Sequence, residues 1–425
     1  MSVNDVISKG ERAREEVADL CSRLVQFNSA HPEGRTDECV EFIKGYLDDH
    51  GIANEVHSRN PLKPNIVAKV PGESKRKVLW VGHLDVVPVG KPETWTHPPF
   101  SGKITDDGFI HGRGTSDMKG ACAAAMVSAR ILSHLEKPQS NNMEFWFTAD
   151  EEIGGGDGAR WLSETKRFEG EVCIIGDGYA GGWDYPCIDL GCKGDAATKL
   201  IARGKTAHGS TPFLGDNAIT KLTQAIPWVE RISDFRLDLP SELEEPIKST
   251  IQFMTKSLNL AGEQAEALKR AFHYPTVSCN IINGGVKRNV VPDYAEAEFD
   301  IRLTPGSKPF EVKDRIETLV KEANIPGIEV SVMTRETAGY YESPDTPFAS
   351  QLSDTIQRVT GRRPIFKILT GGTDAVSIKH FTGIPCLGYG TGLTSKAHQP
   401  NEYISIDNLV LGVKVYSVFP ILYRG

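Results

Sequence analysis

At 425 residues the chain exceeds what one ordinary hydrophobic core organises, so two domains are expected. Hydrophobic residues make up 39% and charged residues 24%, as in a soluble globular protein, and the formal charge of -8 argues against nucleic-acid binding, which calls for a basic face. No stretch reaches the roughly 20 apolar residues needed to cross a bilayer, and Met1–Leu20 has the spacing of an amphipathic helix, not the apolar core of a signal peptide. The eight cysteines include no C-x-x-C pair and fit no usual zinc-thiolate spacing, so reduced thiols and a cytoplasmic setting are expected.

Helical spacing of apolar residues predicts helices over Glu15–Val25 and Glu38–His50. Strands follow at Asn65–Val70 and Lys77–Val81, separated by the turn-rich Pro71-Gly72-Glu73-Ser74. An alanine-rich helix is predicted over Met118–Leu135, a strand over Met143–Thr148, a helix over Ala159–Thr165 and a strand over Val172–Ile175. Strands alternating with helices indicate an α/β domain with a mostly parallel sheet flanked by helices.

The character changes near Gly191. A strand at Asp195–Arg203, a helix near Asn217–Ile232, a polar helical region at Ser241–Phe272 and hairpin-like strands at Thr276–Asn283 and Ala295–Leu303 describe an α+β layer. The helix Phe310–Ala323, the strand Ile328–Thr334 and the helix Pro347–Thr360 then read as a return to α/β alternation. The expected organisation is a metal domain formed by residues 1–190 and 305–425, interrupted by an inserted α+β lid and dimerisation domain at 191–304.

Polar residues terminate several predicted strands: His83, Asp117, Glu151-Glu152 and Asp177, with His398 in a late loop. Carboxyl ends of neighbouring parallel strands converge, so these side chains can meet. Imidazoles with carboxylates suit zinc, with cobalt or manganese as substitutes. The set exceeds what one tetrahedral ion needs and matches two ions about 3.5–4 Å apart sharing a carboxylate, an arrangement suited to hydrolysis. Taken singly, Asp-Glu-Glu after a strand reads as a solvated turn or helix start, and Asp117 as a helix cap. Their joint occurrence is what points to a site.

The motifs GHLDVVP, GRGTSDMKG, ADEEIGG and AHQPNEYI occur in that order. The pattern resembles the dinuclear zinc aminoacylase and carboxypeptidase family, peptidase family M20, from about residue 15 to the C-terminus. The resemblance implies that His83 and Asp177 hold one ion, Glu152 and His398 the other, and that Asp117 bridges them. It implies that Asp85 accepts the free imidazole N–H of His83 and orients the ring, and that Glu151 is the general base. Where deacetylase and desuccinylase branches usually carry Gly-Glu-Pro, this chain has Gly176-Asp177-Gly178, similar to the dipeptidase and carboxypeptidase branches.

By the same resemblance, His208 in GKTAHGS lies on a lid loop that reaches the partner's active site in a homodimer and donates to the tetrahedral oxyanion. Asn289 and Arg302 resemble lid residues that bind the substrate carboxylate, and Gly372 and Thr373 lie in a segment similar to the family's glycine-rich substrate loop. That loop lacks the G-K-[ST] ending of a phosphate loop. Trp183, Asp184 and Tyr185 either shape the pocket or pack. The implied activity is cleavage of the amide bond of an N-acyl amino acid or small peptide bearing a free carboxylate, as in the acetylornithine deacetylase and succinyl-diaminopimelate desuccinylase type. A carboxypeptidase or dipeptidase is the alternative within the family, and a non-catalytic metal-binding scaffold the alternative outside it.

Overall fold

The run Val78–Val81 offers no polar side chain to solvent, and all four residues are fully buried in the middle of a sheet. The computed structural model describes residues 2–178, 186–332, 339–393 and 396–425. These divide into two compact units: Met1–Gly191, Glu342–Leu369 and Thr373–Gly425 form the first, and Cys192–Tyr341 with Thr370–Gly372 the second.

In the first unit the strand Lys77–His83 lies between Asn142–Thr148 and Val172–Ile175, parallel to both, and Cys386–Gly388 continues the parallel array beyond Val172–Ile175. Antiparallel strands flank this centre. Asn65–Val70 pairs with Asn142–Thr148, the unpredicted Ala53–His57 pairs with Asn65–Val70, and Cys187–Cys192 joins Cys386–Gly388 on the other side.

The helix Gly120–Ser133 buries Ala121, Ala123, Ala124 and Ala125, whose short side chains permit close packing. Ser128 Oγ donates to the Val413 carbonyl at 3.1 Å, tying this helix to the C-terminal helix Ile406–Leu422. That last helix is buried from Asn408 to Pro420 and has no polar face, so it shows none of the amphipathic periodicity by which a surface helix is recognised. At the N-terminus two helices, Val3–Arg12 and Arg14–Gln26, take the place of the amphipathic segment.

The second unit holds an antiparallel sheet in the order Thr276–Gly284, Tyr294–Leu303, Thr198–Arg203, Ile328–Val332. Along Tyr294–Leu303 the alternation is complete: Ala295, Ala297, Phe299, Ile301 and Leu303 point into the core, and Glu296, Glu298, Asp300 and Arg302 point away. Leu222, Ala225 and Val229 of the helix Ala218–Glu230 cover the apolar face, together with Val312, Ile316 and Val320 of the helix Pro309–Glu322.

The sequence reading of residues 305–334 as part of the metal domain is therefore corrected. Ile328–Val332 pairs with Thr198–Arg203, and the preceding helix supplies the core of the same sheet. Periodicity identifies such elements but does not say which sheet they join. The polar helical region 241–272 is divided and partly buried. It forms Glu244–Ser257 and Glu263–His273, with Ile247, Phe253 and Phe272 buried. Among the described residues the cysteines form no disulfide, and seven of the eight are buried. Among the described residues no helix is long and apolar enough to cross a membrane.

Candidate metal centre

The site begins where the central strand of the first unit ends. His83 directs Nδ1 to the main-chain carbonyl of Asp85 at 2.9 Å, which fixes the tautomer and leaves Nε2 facing Asp117 Oδ1 at 3.1 Å. Asp117 sits on the loop before the helix Gly120–Ser133, and a cis peptide joins it to Met118. Glu402 holds that loop from within. Its Oε1 accepts the amides of Gly114, Ser116 and Asp117 at 3.1, 2.8 and 3.1 Å, while Oε2 meets Arg113 Nη1 at 2.5 Å. Glu402 and Arg113 are both almost wholly buried. Burial pushes the Glu402 carboxyl up to about 7 against the opposing pull of Arg113 and the amides. Glu402 lies four positions after His398, so one hydrogen-bonded unit carries two of the converging side chains.

The Asp-Glu-Glu turn has its own scaffold. Asp150 adopts φ 71° and is anchored by Lys63 Nζ at 2.6 Å and the Asp157 amide at 3.1 Å. Glu151–Ile153 then form a single 3₁₀ turn. The Asp85 carboxylate accepts the amides of Glu151 and Glu152, both at 3.1 Å, and Nε2 of His31 at 2.8 Å. This corrects the role expected for Asp85. Its carboxylate stands 3.6 Å from His83 Nδ1, beyond hydrogen-bonding distance, and its main-chain oxygen does the orienting instead. Burial opposes the Asp85 charge, but the hydrogen bond from His31, the proximity of His83 and the Glu152 amide outweigh it and hold the carboxyl below its usual range.

Among the described residues two groups of potential ligating atoms result, each with its atoms within 4.8 Å of one another: His83, Asp117 and Asp177, and Asp117, Glu152 and His398. Asp117 belongs to both. His398 Nε2 lies 3.2 Å from Asp117 Oδ2 and 3.2 Å from Glu152 Oε2. Lost hydration and crowded carboxylates, opposed by His83, push Glu151 and Asp177 well above the ordinary range. Hydrogen bonds to Asp117 and Glu152 raise His398 to about 10. A shared carboxylate, one imidazole per group and an excess of negative charge are what a pair of divalent cations requires, so the residues fit the expected metals.

Asp177 is positioned by close backbone contact. A Cβ added at Gly390 would lie 2.2 Å from the Gly176 carbonyl oxygen and 2.3 Å from that of Gly178. Gly390→Ala is therefore expected to cost about 1–3 kcal/mol by forcing the Asp177 loop to move. Chemical denaturation and metal titration of the variant check this, and an unchanged affinity for both ions would count against the contact.

The remaining expected residues fall elsewhere. His208 and Asn289 are neighbours in the second unit, on the ribbon that pairs Ala207-His208 with Val290-Val291. Both are exposed, and His208 Nδ1 bonds Ser210 Oγ at 2.7 Å. Arg302, also in the second unit, already binds Asp300 through two bonds of 2.8 and 3.0 Å. Gly372 is exposed and groups with the second unit, whereas Thr373 is buried and groups with the first. Trp183, Asp184 and Tyr185 lie outside the described residues.

Three residues that support the site were not singled out from the sequence: His31, which lies in no motif, and Arg113 and Glu402, which lie within GRGTSDMKG and AHQPNEYI. Asp374, in the glycine-rich segment, bonds Thr148 Oγ1 at 3.1 Å, and burial, opposed by His83 and reinforced by Asp85, pushes it up to about 7. Its position directly after Thr373 was the available signal.

Comparison with known proteins agrees with this geometry. The profile of peptidase family M20/M25/M40 matches residues 79–420. A Staphylococcus aureus protein described as a probable succinyl-diaminopimelate desuccinylase is 27% identical over 418 residues, 97% of this chain and 98% of the relative. Among solved structures, the M20 family metallo-carboxypeptidase Sso-CP2 from Sulfolobus solfataricus superposes with a TM-score of 0.80 at 23% identity, covering 96% of this chain and 99% of its own. The di-peptidase Dug1p from Saccharomyces cerevisiae gives 0.79 at 18% identity, covering 99% and 98%. With the profile spanning the segments that carry His83, Asp117, Glu151, Asp177 and His398, the chain belongs to peptidase family M20/M25/M40 and is a hydrolase acting on amide bonds.

Proposed function

We propose that this hydrolase uses two zinc ions, held by His83 and Asp177 on one side and by Glu152 and His398 on the other, with Asp117 between them. The observation that carries the reading is the pair of ligand groups sharing Asp117, with Glu151 adjacent but in neither group. Bound divalent ions supply Lewis acidity, polarising the scissile carbonyl and lowering the pKa of water. Glu151 takes the proton from the attacking water and delivers it to the departing nitrogen, a task suited to a carboxylate beside the ligand groups but in neither of them. Asp85 holds the main chain of the turn, which lets Glu151 and Glu152 face different partners.

The proposed substrate is an N-acyl amino acid, with N-succinyl forms foremost, as the name of the Staphylococcus aureus relative suggests, and N-acetyl forms beside them. A carboxypeptidase or dipeptidase activity is the second reading. Asp177 in place of the glutamate of deacylase branches favours it, as do the metallo-carboxypeptidase and the di-peptidase among the structural neighbours. Arg302 and Asn289, with Gly372 and Thr373, are proposed to take up the substrate carboxylate.

We further propose a homodimer formed through the second unit, in which His208 of one copy serves the other. Supporting this, the edge strand Thr276–Gly284 exposes Ile281 and Ile282, and Phe213 and Val286 in the same unit are 79% and 92% exposed. Mostly buried thiols that form no disulfide among the described residues support a cytoplasmic setting.

Metal analysis after zinc-replete purification should find two ions per chain. A chelator should abolish hydrolysis across a panel of N-succinyl, N-acetyl and dipeptide substrates, and zinc should restore it. Protein that binds two ions and cleaves nothing in the panel would leave the metal-binding scaffold reading, and protein that binds no metal would overturn the two-ion site.

A further inference from the structure

The Asp85 carboxylate is fully buried, so its charge must be met by donors inside the protein. It has three: the amides of Glu151 and Glu152 and the ring of His31. An ionised carboxylate only accepts, so His31 carries its proton on Nε2 and donates. Of the three bonds, the one from His31 is the shortest, at 2.8 Å.

His31 reaches Asp85 across 54 residues of chain because Ser29–His31 runs alongside Leu84–Val86. The His31 amide donates to the Val86 carbonyl at 3.1 Å, the Val86 amide returns a bond to the Ser29 carbonyl at 3.1 Å, and Ser29 Oγ donates to the Leu84 carbonyl at 2.6 Å. The ring closes over Gly34, whose φ is 56° and where an added Cβ would stand 2.4 Å from ring Cε1. Nδ1 is buried without a hydrogen-bond partner among the described residues. The polar function of this side chain is thus directed at Asp85.

We propose that His31 is a positioning residue for the general base: through Asp85 it fixes the main chain of Glu151 and Glu152, keeping one carboxylate on the metal side and its neighbour on the substrate side. The catalytic consequence rests on the amidohydrolase reading above. The structural half does not, because it concerns two amides in the metal-free chain.

The test compares wild type with His31→Ala, His31→Gln and His31→Asn. Glutamine places an amide N–H close to where the imidazole Nε2 stands, whereas asparagine falls a methylene short. In metal-free protein, His31→Ala is expected to raise hydrogen exchange at the Glu151 and Glu152 amides by about tenfold or more, with Val78–Val81 unchanged, because only a local restraint is lost. In the zinc-loaded enzyme kcat is expected to fall about 10–100-fold, the usual scale for a residue that orients a metal site from outside it, with KM little changed. His31→Gln should recover most of both readouts and His31→Asn should not.

Unchanged exchange at Glu151 and Glu152 overturns the proposal. So does a rise spread evenly over the sheet, which marks a merely structural residue, or glutamine behaving like asparagine. If the alanine variant does not fold, the glutamine–asparagine comparison decides alone. Should the local exchange response hold while wild type hydrolyses no amide, the positioning role stands and the amidohydrolase reading falls.

Discussion

Glu151→Gln is expected to lower kcat by about 10²–10⁴-fold while two ions per chain remain bound. Glutamine keeps the size of the side chain and its place on the 3₁₀ turn, so the amide bonds to Asp85 persist and Glu152 keeps its position. What is lost is a group that can accept a proton from water and release it to the leaving nitrogen. Because Glu151 lies outside both ligand groups, metal content should be indifferent to the change. Steady-state kinetics with metal analysis on the same preparation separates the two effects. Near-normal turnover, or loss of one ion, would remove Glu151 from the role of base and suggest that it ligates instead.

Arg113→Ala is expected to be the most destabilising single change near the site, at about 3–5 kcal/mol, because it leaves a carboxylate buried without its partner. Glu402 is fully buried and its Oε2 faces Arg113 Nη1, which also reaches toward the Gln399 carbonyl at 3.4 Å. Removing the guanidinium strands the charge and loosens the acceptor that holds three amides of the Asp117 loop. Stability should fall in metal-free protein, where no ion masks the effect, and zinc affinity should fall with it as Asp117 and His398 lose their shared support. Urea denaturation of the metal-free variant and zinc titration measure both. A loss below about 1 kcal/mol, the scale of an exposed pair, would show that Glu402 is stabilised by the amides alone.

The converging candidate ligands were legible because most of them adjoin a recognisable element. His83 ends an apolar strand, Asp117 precedes an alanine-rich helix, Glu152 follows an alternating strand, and Asp177 follows Val172–Ile175. The Tyr294–Leu303 strand was legible for the same reason, since its one buried face imposes alternation. Elements without such a contrast escaped. The C-terminal helix is buried all round, and the allegiance of residues 309–332 depends on pairing with a strand more than a hundred positions earlier.

The amino-acid sequence by itself determined the chemistry of this protein: which side chains can ligate, that they exceed one ion's needs, and that parallel strands deliver them to one edge. These follow from residue type and short-range periodicity, which are local properties. The tertiary structure alone decided what restrains those side chains. The bonds from His31 to Asp85 and from Asp85 to the Glu151–Glu152 amides span 54, 66 and 67 residues, and that from Arg113 to Glu402 spans 289. A hydrogen bond across such a separation constrains the partners' positions in space but leaves no pattern in the neighbouring sequence. That is why Asp85 could be singled out in the sequence while its hydrogen bonds to the turn that carries Glu151 and Glu152 emerged only from the fold.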